Sequence, residues 1–184
     1  MKEIVFLVEE PSMKEFLKAI LPKVLPDNVL YTIIHHEGKQ DLERSIPKKL
    51  RAFRQPETRF VVLIDQDSND CIVLKDRLSG LCQEGGRENC LVRIVCHELE
   101  SWFLGDLEAV GQAYNLSSLA RRQREAKFRQ LDRLSNPAEV LKLLVPAYQK
   151  VSGARAVSKH LKLNENESHS FAVFLTGLQK VIAD

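Results

Sequence analysis

Residues 60–67 read Phe-Val-Val-Leu-Ile-Asp-Gln-Asp. The five apolar residues from Phe60 to Ile64 are uninterrupted, as expected of a strand that is covered on both faces in a parallel sheet. Asp65 and Asp67 follow where this strand ends. A buried carboxylate lowers folding stability unless a partner compensates its desolvation. Because carboxylate oxygens are the ligands that Mg²⁺ prefers, the pattern indicates a metal site at the carboxyl edge of the sheet.

Three further apolar segments predict strands of the same sheet. They are Ile4–Val8, Val29–Ile34 and Leu91–Val95. Segments with helical periodicity separate the four strands, and this alternation predicts a parallel sheet with right-handed crossovers. We therefore predict an α/β fold of Rossmann-like type, with a mostly parallel four-stranded sheet flanked by helices.

Local signals predict where several helices begin and end. Ser12 and Glu15 form a capping-box pattern at the start of the first helix. Gly85-Gly86 ends the third helix, and His97–Leu104 has a helical pattern. Asn136 followed by Pro137 and Glu139 predicts the start of a later helix.

The strand signal disappears from Asp106 onward. The last strong pattern is an amphipathic helix over Phe171–Ile182. We predict an α/β core over residues 1–105 and a helical extension over residues 106–184, packed together as a single globular unit. A length of 184 residues suits this organisation.

Composition narrows the class of protein. Hydrophobic residues make up 44% of the chain, which suffices for a core, and the formal net charge of +2 requires any nucleic-acid affinity to come from a local patch. No apolar stretch approaches the length that spans a bilayer, and the N-terminal residues lack the layout of a signal peptide. The four cysteines show no metal-binding or Cys-x-x-Cys spacing. We expect a cytoplasmic protein with reduced thiols and no membrane partner.

Acidic residues follow three of the four predicted strands. Ligands bind beyond the carboxyl ends of the strands in open parallel sheets, so these acids are expected to converge. Residues i and i+2 of an extended chain point the same way, so two carboxylates after the third strand can face one cation. The alternative that Asp67 and Asp70 cap the next helix stays open. The candidate acids are Glu9, Asp65, Asp67, Glu98 and Glu100.

Cations that could bind substrate phosphates are fewer. Lys39 lies in a Gly-Lys loop after the second strand, and Arg155 adjoins Ser152–Ala154, a predicted flexible turn that could present backbone amides. Lys150 is interpreted as an ordinary solvated charge. The densest basic run, Arg121–Arg129, is either a solvated helix face or a nucleic-acid contact.

Histidines and aromatic residues give weaker indications of a functional site. His35 and His36 are adjacent on a strand and point to opposite faces, so at most one can join the site. His97 gives no clear second ligand, and Mg²⁺ or Mn²⁺ is therefore favoured over Zn²⁺. Trp102 and Phe103 are predicted to belong to the core rather than to a base-stacking platform.

Two resemblances connect these motifs to known families. Val8-Glu-Glu-Pro-Ser-Met-Lys14 followed by Asp65-x-Asp67 resembles the Toprim domain of topoisomerases, bacterial primases, recombination proteins and small or ATPase-linked nucleases. A narrower resemblance, to a bacterial family of Toprim-like proteins catalogued as a domain of unknown function, runs through nearly the whole chain. The segments that carry it are His36–Leu42, Asp65–Cys71, Glu98–Trp102 and Gly153–Arg155.

The resemblance implies a Toprim fold and Mg²⁺- or Mn²⁺-dependent hydrolysis of phosphodiester bonds in nucleic acid. Asp65 and Asp67 would hold metal, and Glu9 would act as a general acid/base or as a further ligand. Glu100 or Glu98 would complete a second metal position. An ATPase partner in defence or repair is implied by analogy with Toprim nucleases.

Differences from known families argue against several classes of protein. Asn69 stands where topoisomerase-type domains carry a third acid, and the cysteines supply no zinc module of a primase. A phosphoacceptor receiver would need a lysine after a fifth strand, and an Asp-x-Asp phosphatase would place that motif after the first strand. The alternative of a non-catalytic Toprim-like recognition or adaptor subunit stays open. So do DNA versus RNA, endo versus exo cleavage, and the oligomeric state, a homo-oligomer included.

Overall fold

Four parallel strands form one sheet in the spatial order β2-β1-β3-β4. The computed structural model describes residues 2–183, so the predicted domain limits at residues 1 and 184 lie outside the described residues. The α/β prediction is confirmed, and the domain boundary after residue 105 stays a prediction. The strands are β1 (Lys2–Val8), β2 (Val29–His35), β3 (Arg59–Asp65) and β4 (Leu91–Val95).

Helices connect the strands and continue after them. Three helices lie between strands: α1 (Pro11–Val24), α2 (Lys39–Ala52) and α3 (Cys71–Glu84). The others follow β4: α4 (Glu100–Leu104), α5 (Leu107–Tyr114), α6 (Leu119–Arg122), α7 (Pro137–Leu144), α8 (Lys150–Ser158) and α9 (His169–Ala183). Two 3₁₀ turns, Ala126–Phe128 and Leu131–Arg133, lie between α6 and α7.

The strand register brings the predicted acids to one edge. Val8 pairs with His35 of β2 and with Leu63 of β3, and Asp65 pairs with Val95 of β4. The residues that follow β1, β3 and β4 therefore leave the sheet on the same side, where open parallel sheets bind ligands.

Each face of the sheet has its own apolar cluster because successive strand residues point to opposite faces. One cluster takes Ile4 and Phe6 of β1 together with residues of α1 and of the helices after β4. The other takes Val5 and Leu7 of β1 together with residues of α2 and α3.

The larger cluster contains an aromatic group centred on the chain's single tryptophan. The ring centroid of Trp102 lies 5.1 Å from that of Phe16 and 5.2 Å from those of Phe171 and Phe174. Its indole Nε1 donates to Ser170 Oγ at 2.7 Å. Trp102 and Phe103 are completely buried, so their assignment to the core is confirmed.

Three local predictions were wrong. Helix α1 begins at Pro11 with Glu10 as its N-cap, and the Ser12 hydroxyl donates back to the Glu10 carboxylate instead of capping the helix. His97 has a left-handed backbone (φ 58°), so the helical segment begins only at Glu100. Residues 152–154 form no flexible turn.

Residues 152–154 instead lie inside helix α8. Gly153 packs so closely against Tyr148 that a Cβ at this position would collide with the phenol ring. This close approach explains the glycine without any turn.

None of the helices within residues 2–183 combines the length and hydropathy that crossing a membrane requires.

Removing one ring of the aromatic group tests how much the packing of α9 contributes to folding stability. We expect Phe171→Ala to lower the free energy of unfolding by about 3–5 kcal/mol, because it leaves a cavity between Phe16 and Trp102. Val173→Ala on the same helix removes a side chain that is 39% exposed and should cost much less. Urea unfolding followed by Trp102 fluorescence measures both, and equal losses would contradict this account of the core.

Candidate functional site

Glu9 joins the ends of the two central strands. It follows β1, and its Oε2 accepts the backbone amide of Asp65 in β3 at 3.0 Å. Burial raises the pKa of Glu9, although the positive charge of Lys39 and the Asp65 amide oppose this, and the negative charge of Asp67 adds to it. The carboxyl group is therefore held at the sheet edge by a backbone contact and is biased toward its protonated form.

Asp65 is a buried acid at the end of β3. It is the last residue of the strand, its side chain is 3% exposed, and Oδ1 lacks a hydrogen-bond partner among residues 2–183. Burial, followed by the charges of Glu10, Glu100 and Glu9, raises the pKa of Asp65 well above its usual range, with Lys150 opposing. Repulsion among these carboxylates shows that they converge in space.

Glu100 brings a second buried carboxylate from the segment after β4. It is 1% exposed, and its Oε1 accepts the Tyr148 hydroxyl at 2.9 Å. Its other oxygen, Oε2, has no partner in the described part of the chain. Burial raises the pKa of Glu100, while Lys150 and the Tyr148 hydroxyl oppose this. Burial and the adjacent Glu100 carboxylate also raise the pKa of Tyr148, which keeps the phenol protonated as a donor.

Asp67 does not continue the extended strand. Its backbone is left-handed (φ 52°), and its amide donates to the His97 carbonyl at 2.8 Å. The carboxylate is 49% exposed and forms an ion pair with Lys39 at 2.8 Å. The argument that Asp65 and Asp67 point the same way from an extended chain was therefore wrong, because the strand ends between them.

Lys39 reaches the sheet edge as predicted. It begins helix α2, and besides the ion pair its Nζ donates to the backbone carbonyl of Asp65 at 3.1 Å. The lysine thus ties the start of α2 to the end of β3 and places a positive charge beside the acids. Its role toward substrate phosphate stays a prediction.

Two residues of the site were not predicted from the sequence. Lys150, at the start of α8, forms an ion pair with Glu10 at 2.8 Å and faces the acids rather than only solvent. Burial lowers the pKa of Lys150, but the ion pair with Glu10 and the charges of Glu100 and Asp65 outweigh this and raise it. Tyr148 is the other, as donor to Glu100. Both residues lie more than 80 positions from β3 in sequence, and no local pattern links them to it.

Two predicted site residues take part in other contacts. Glu98 Oε2 accepts the Ala138 amide at 3.0 Å and so caps helix α7 from outside. Arg155 donates through Nε to Glu15 at 2.6 Å, which joins α8 to α1. The structure brings neither side chain into hydrogen-bonding contact with Glu9, Asp65 or Glu100, although Glu98 adds to the rise in the pKa of Glu100.

The histidines and Asp70 are held by local hydrogen bonds. His36 is buried and its ring contacts the Val8 carbonyl at 2.9 Å and the Ser45 hydroxyl at 2.5 Å. The His97 ring contacts the Asp132 carbonyl at 3.1 Å. Asp70 caps α3 by accepting the amides of residues 72 and 73, which confirms the capping interpretation for this acid.

The predicted metal ligands offer few carboxylate oxygens without a hydrogen-bond partner among residues 2–183. Residues 2–183 contain no group of three or more His, Cys, Asp or Glu side chains that could hold a metal ion by themselves. Mg²⁺, however, is usually bound by one or two carboxylates, with water and substrate phosphate as its other ligands. The unpartnered Asp65 Oδ1 and Glu100 Oε2 are acceptors of the kind such an ion takes, since a buried unpaired carboxylate oxygen is costly.

The raised pKa of Asp65 predicts how stability depends on pH in metal-free buffer. An unfolded aspartate ionises near pH 3.9, whereas folded Asp65 stays protonated to higher pH. The free energy of unfolding therefore falls as pH rises above about 4, by about 1.4 kcal/mol per pH unit, until folded Asp65 ionises. Asp65→Asn has no carboxyl group at this position, so its free energy of unfolding should not fall in this way. In EDTA we expect the variant to become progressively more stable than wild type between pH 4 and the pKa of folded Asp65.

Asp67→Asn is the matched control for that measurement, because it makes the same change at a half-exposed carboxylate two residues away. Urea unfolding in EDTA at several pH values gives the three slopes. If the unfolding free energy of Asp65→Asn follows the pH dependence of wild type as closely as that of Asp67→Asn does, the proposed destabilisation by the buried Asp65 carboxylate is contradicted.

A family model matches most of the chain. The family model described as a domain of unknown function (DUF4276) matches residues 8–179, a range that includes every candidate acid. No curated protein matches the chain, and no solved structure does either. Since the matched range covers well over half of the 184 residues, the chain belongs to the family described as domain of unknown function DUF4276.

Proposed function

We propose that this protein is a Toprim-like, Mg²⁺-dependent phosphodiesterase that acts on nucleic acid. The observation that carries the proposal is a pair of buried carboxylate oxygens, Asp65 Oδ1 and Glu100 Oε2, that have no hydrogen-bond partner in the described part of the chain and lie near Glu9. The Toprim-like spacing of Glu9, Asp65 and Asp67 supports it as a resemblance. Mn²⁺ would substitute, because it takes the same oxygen ligands.

The acids would have different roles in such a site. Asp65 and Glu100 would hold the cation, with Asp67 as a further ligand once its carboxylate leaves Lys39. When bound, a divalent ion supplies a polarised phosphoryl oxygen and a water of lowered pKa. The two buried carboxylates provide negative charge that burial and mutual repulsion make costly in its absence, so cation binding and folding stability should be coupled.

Glu9 suits proton transfer. Burial raises the pKa of Glu9, so this carboxyl group holds a proton more readily than an exposed glutamate and is suited to accept and return one. The hydrogen bond from the Asp65 amide fixes the position of one carboxyl oxygen and leaves the other for water or substrate. Lys39 lies close enough to oppose the rise in the pKa of Glu9, and we assign it to a substrate phosphate.

A basic segment supports nucleic acid as the substrate. Residues 121–133 carry six basic and two acidic side chains, whereas the whole chain has a net charge of only +2. The buried Phe128 and Leu131 anchor this segment, and the contact of His97 with the Asp132 carbonyl holds it beside the end of β4. Most of its basic residues are exposed, as phosphate contacts require. An ATPase partner and a role in defence or repair rest on the resemblance alone.

Cleavage assays test the proposal. Purified wild-type protein should cut at least one of plasmid DNA, single-stranded DNA and RNA in Mg²⁺ or Mn²⁺ and not in EDTA. Asp65→Asn and Glu100→Gln should lower the rate by about 10²–10⁴-fold, because each removes a metal ligand. Asp76→Asn, at an exposed position of α3, is the matched control and should retain activity.

Calorimetric titration with Mn²⁺ separates the two candidate functions. Cation binding that Asp65→Asn abolishes supports the metal site even before a substrate is found. If wild type binds no divalent cation and cuts none of the substrates, the enzymatic proposal fails, and the non-catalytic recognition or adaptor role becomes the better account.

Nucleic-acid affinity should depend on the basic segment. We expect the double substitution Arg129→Ala/Arg133→Ala to weaken binding to a DNA or RNA oligonucleotide in EDTA. The slope of log K against log salt should fall by roughly one for each lost phosphate contact. Lys180→Ala, on helix α9 by a groove with Leu91 at the start of β4, is the control. Equal affinities of wild type and the double variant would remove this segment from the interface.

A further inference from the structure

Strand β2 forms one edge of the sheet, and within residues 2–183 it pairs with β1 alone. The His36 amide donates to the Val8 carbonyl at 3.0 Å, and backbone groups alternate in direction along a strand, so the amides of Tyr31 and Ile33 face away from β1. Within residues 2–183, no loop, helix or side chain accepts a hydrogen bond from these two outward amides. Among the residues that the structure describes, this edge therefore presents backbone donors and acceptors without partners.

The composition of β2 does nothing to block another strand. The sequence Val-Leu-Tyr-Thr-Ile-Ile-His contains no Lys, Arg, Asp, Glu, Pro or Gly, although edge strands are commonly protected by such residues. Leu30 is 54% exposed and Tyr31 is 38% exposed. An uncharged edge with exposed apolar side chains is suited to strand addition.

The pattern of β2 is also complementary to itself. We propose that β2 pairs antiparallel with β2 of a second copy, with the two Thr32 residues facing each other on the two-fold axis. In this register Leu30 faces Ile34 of the other copy on one sheet face, and Tyr31 faces Ile33 on the other. Each copy thus sets apolar against apolar and threonine against threonine, which are favourable cross-strand pairs.

Hydrogen-bond geometry agrees with the same register. Because the backbone groups of Tyr31 and Ile33 point outward, these residues can exchange both hydrogen bonds with Ile33 and Tyr31 of the other copy. Thr32 points its backbone groups toward β1 and becomes a pair without hydrogen bonds, as the alternation of an antiparallel ladder requires. The result is one continuous eight-stranded sheet with a closed two-fold interface.

The interface leaves both candidate sites open. Glu9 and Asp65 lie at the carboxyl edge of the parallel strands, and the antiparallel relation of the two copies directs these edges to opposite ends of the joined sheet. The dimer is therefore independent of the proposed function, and its test requires no substrate or metal.

Sedimentation over a range of concentrations tests the dimer. We expect wild type to reach twice the chain mass of 21.0 kDa. Tyr31→Lys should raise the dissociation constant at least about tenfold, since it places two charges in the interface. Ile72→Lys, which replaces a side chain 73% exposed on α3, should dimerise like wild type. Wild type that stays monomeric throughout, or a dimer that Tyr31→Lys does not weaken, overturns the proposal.

Cross-linking tests the register. Thr32→Cys, in a Cys71→Ser background that removes the exposed native thiol, should form an intermolecular disulfide on mild oxidation, because Cα atoms of such a pair lie about 4.5 Å apart. Leu30→Cys in the same background is the control, since the two Leu30 positions would lie about 13 Å apart. A disulfide at residue 30 and none at residue 32 would overturn this pairing.

Discussion

The hydrogen bond from the Asp65 amide to the Glu9 carboxylate is the contact on which the candidate site depends. It joins the ends of the two central strands, and it holds one buried acid against the backbone of another. The sheet register alone would bring the two strand ends to the same edge, but it would not fix a side chain there. The contact uses the backbone amide of Asp65 and none of its side-chain atoms, and Oδ1 of that side chain has no hydrogen-bond partner within residues 2–183.

The positive charges around this contact do not neutralise the acids evenly. Lys39 pairs with the exposed Asp67 and the carbonyl of Asp65, and Lys150 pairs with Glu10. Asp65 and Glu100, the two most buried acids, receive only longer-range compensation, and burial dominates the rise in the pKa of each. The two lysines therefore pair with the more exposed acids, and the carboxylates that burial destabilises most form no ion pair with either lysine. A mobile divalent cation would compensate these carboxylates in a way that a lysine on this scaffold does not.

Much of this architecture could be predicted from local sequence, because strands buried on both faces leave uninterrupted apolar runs. The segment Leu91–Val95 was predicted with its observed limits, and the acids at the strand ends followed from the parallel topology. What could not be predicted was backbone geometry at the loop positions. Asp67 and His97 are both left-handed, and the hydrogen bond between Asp67 N and His97 O that accompanies this conformation joins residues 30 positions apart. Similarly, Tyr148 and Lys150 lie at or just before the start of α8, which Arg155 joins to α1 through Glu15, and no local pattern encodes this packing.

The same distinction explains which acids are structural. Glu98 and Glu100 are two residues apart and were equivalent in sequence, yet one caps α7 and the other enters the buried cluster. His97 has a left-handed backbone and α4 begins only at Glu100, so Glu98 lies before the helix, where its carboxylate accepts the Ala138 amide in the first turn of α7. A helix N-terminus satisfies a carboxylate with backbone donors, so Glu98 needs no cation. Glu100 accepts the Tyr148 hydroxyl through Oε1, and its Oε2 has no hydrogen-bond partner within residues 2–183, which is why the proposed metal site is assigned to this acid and to Asp65.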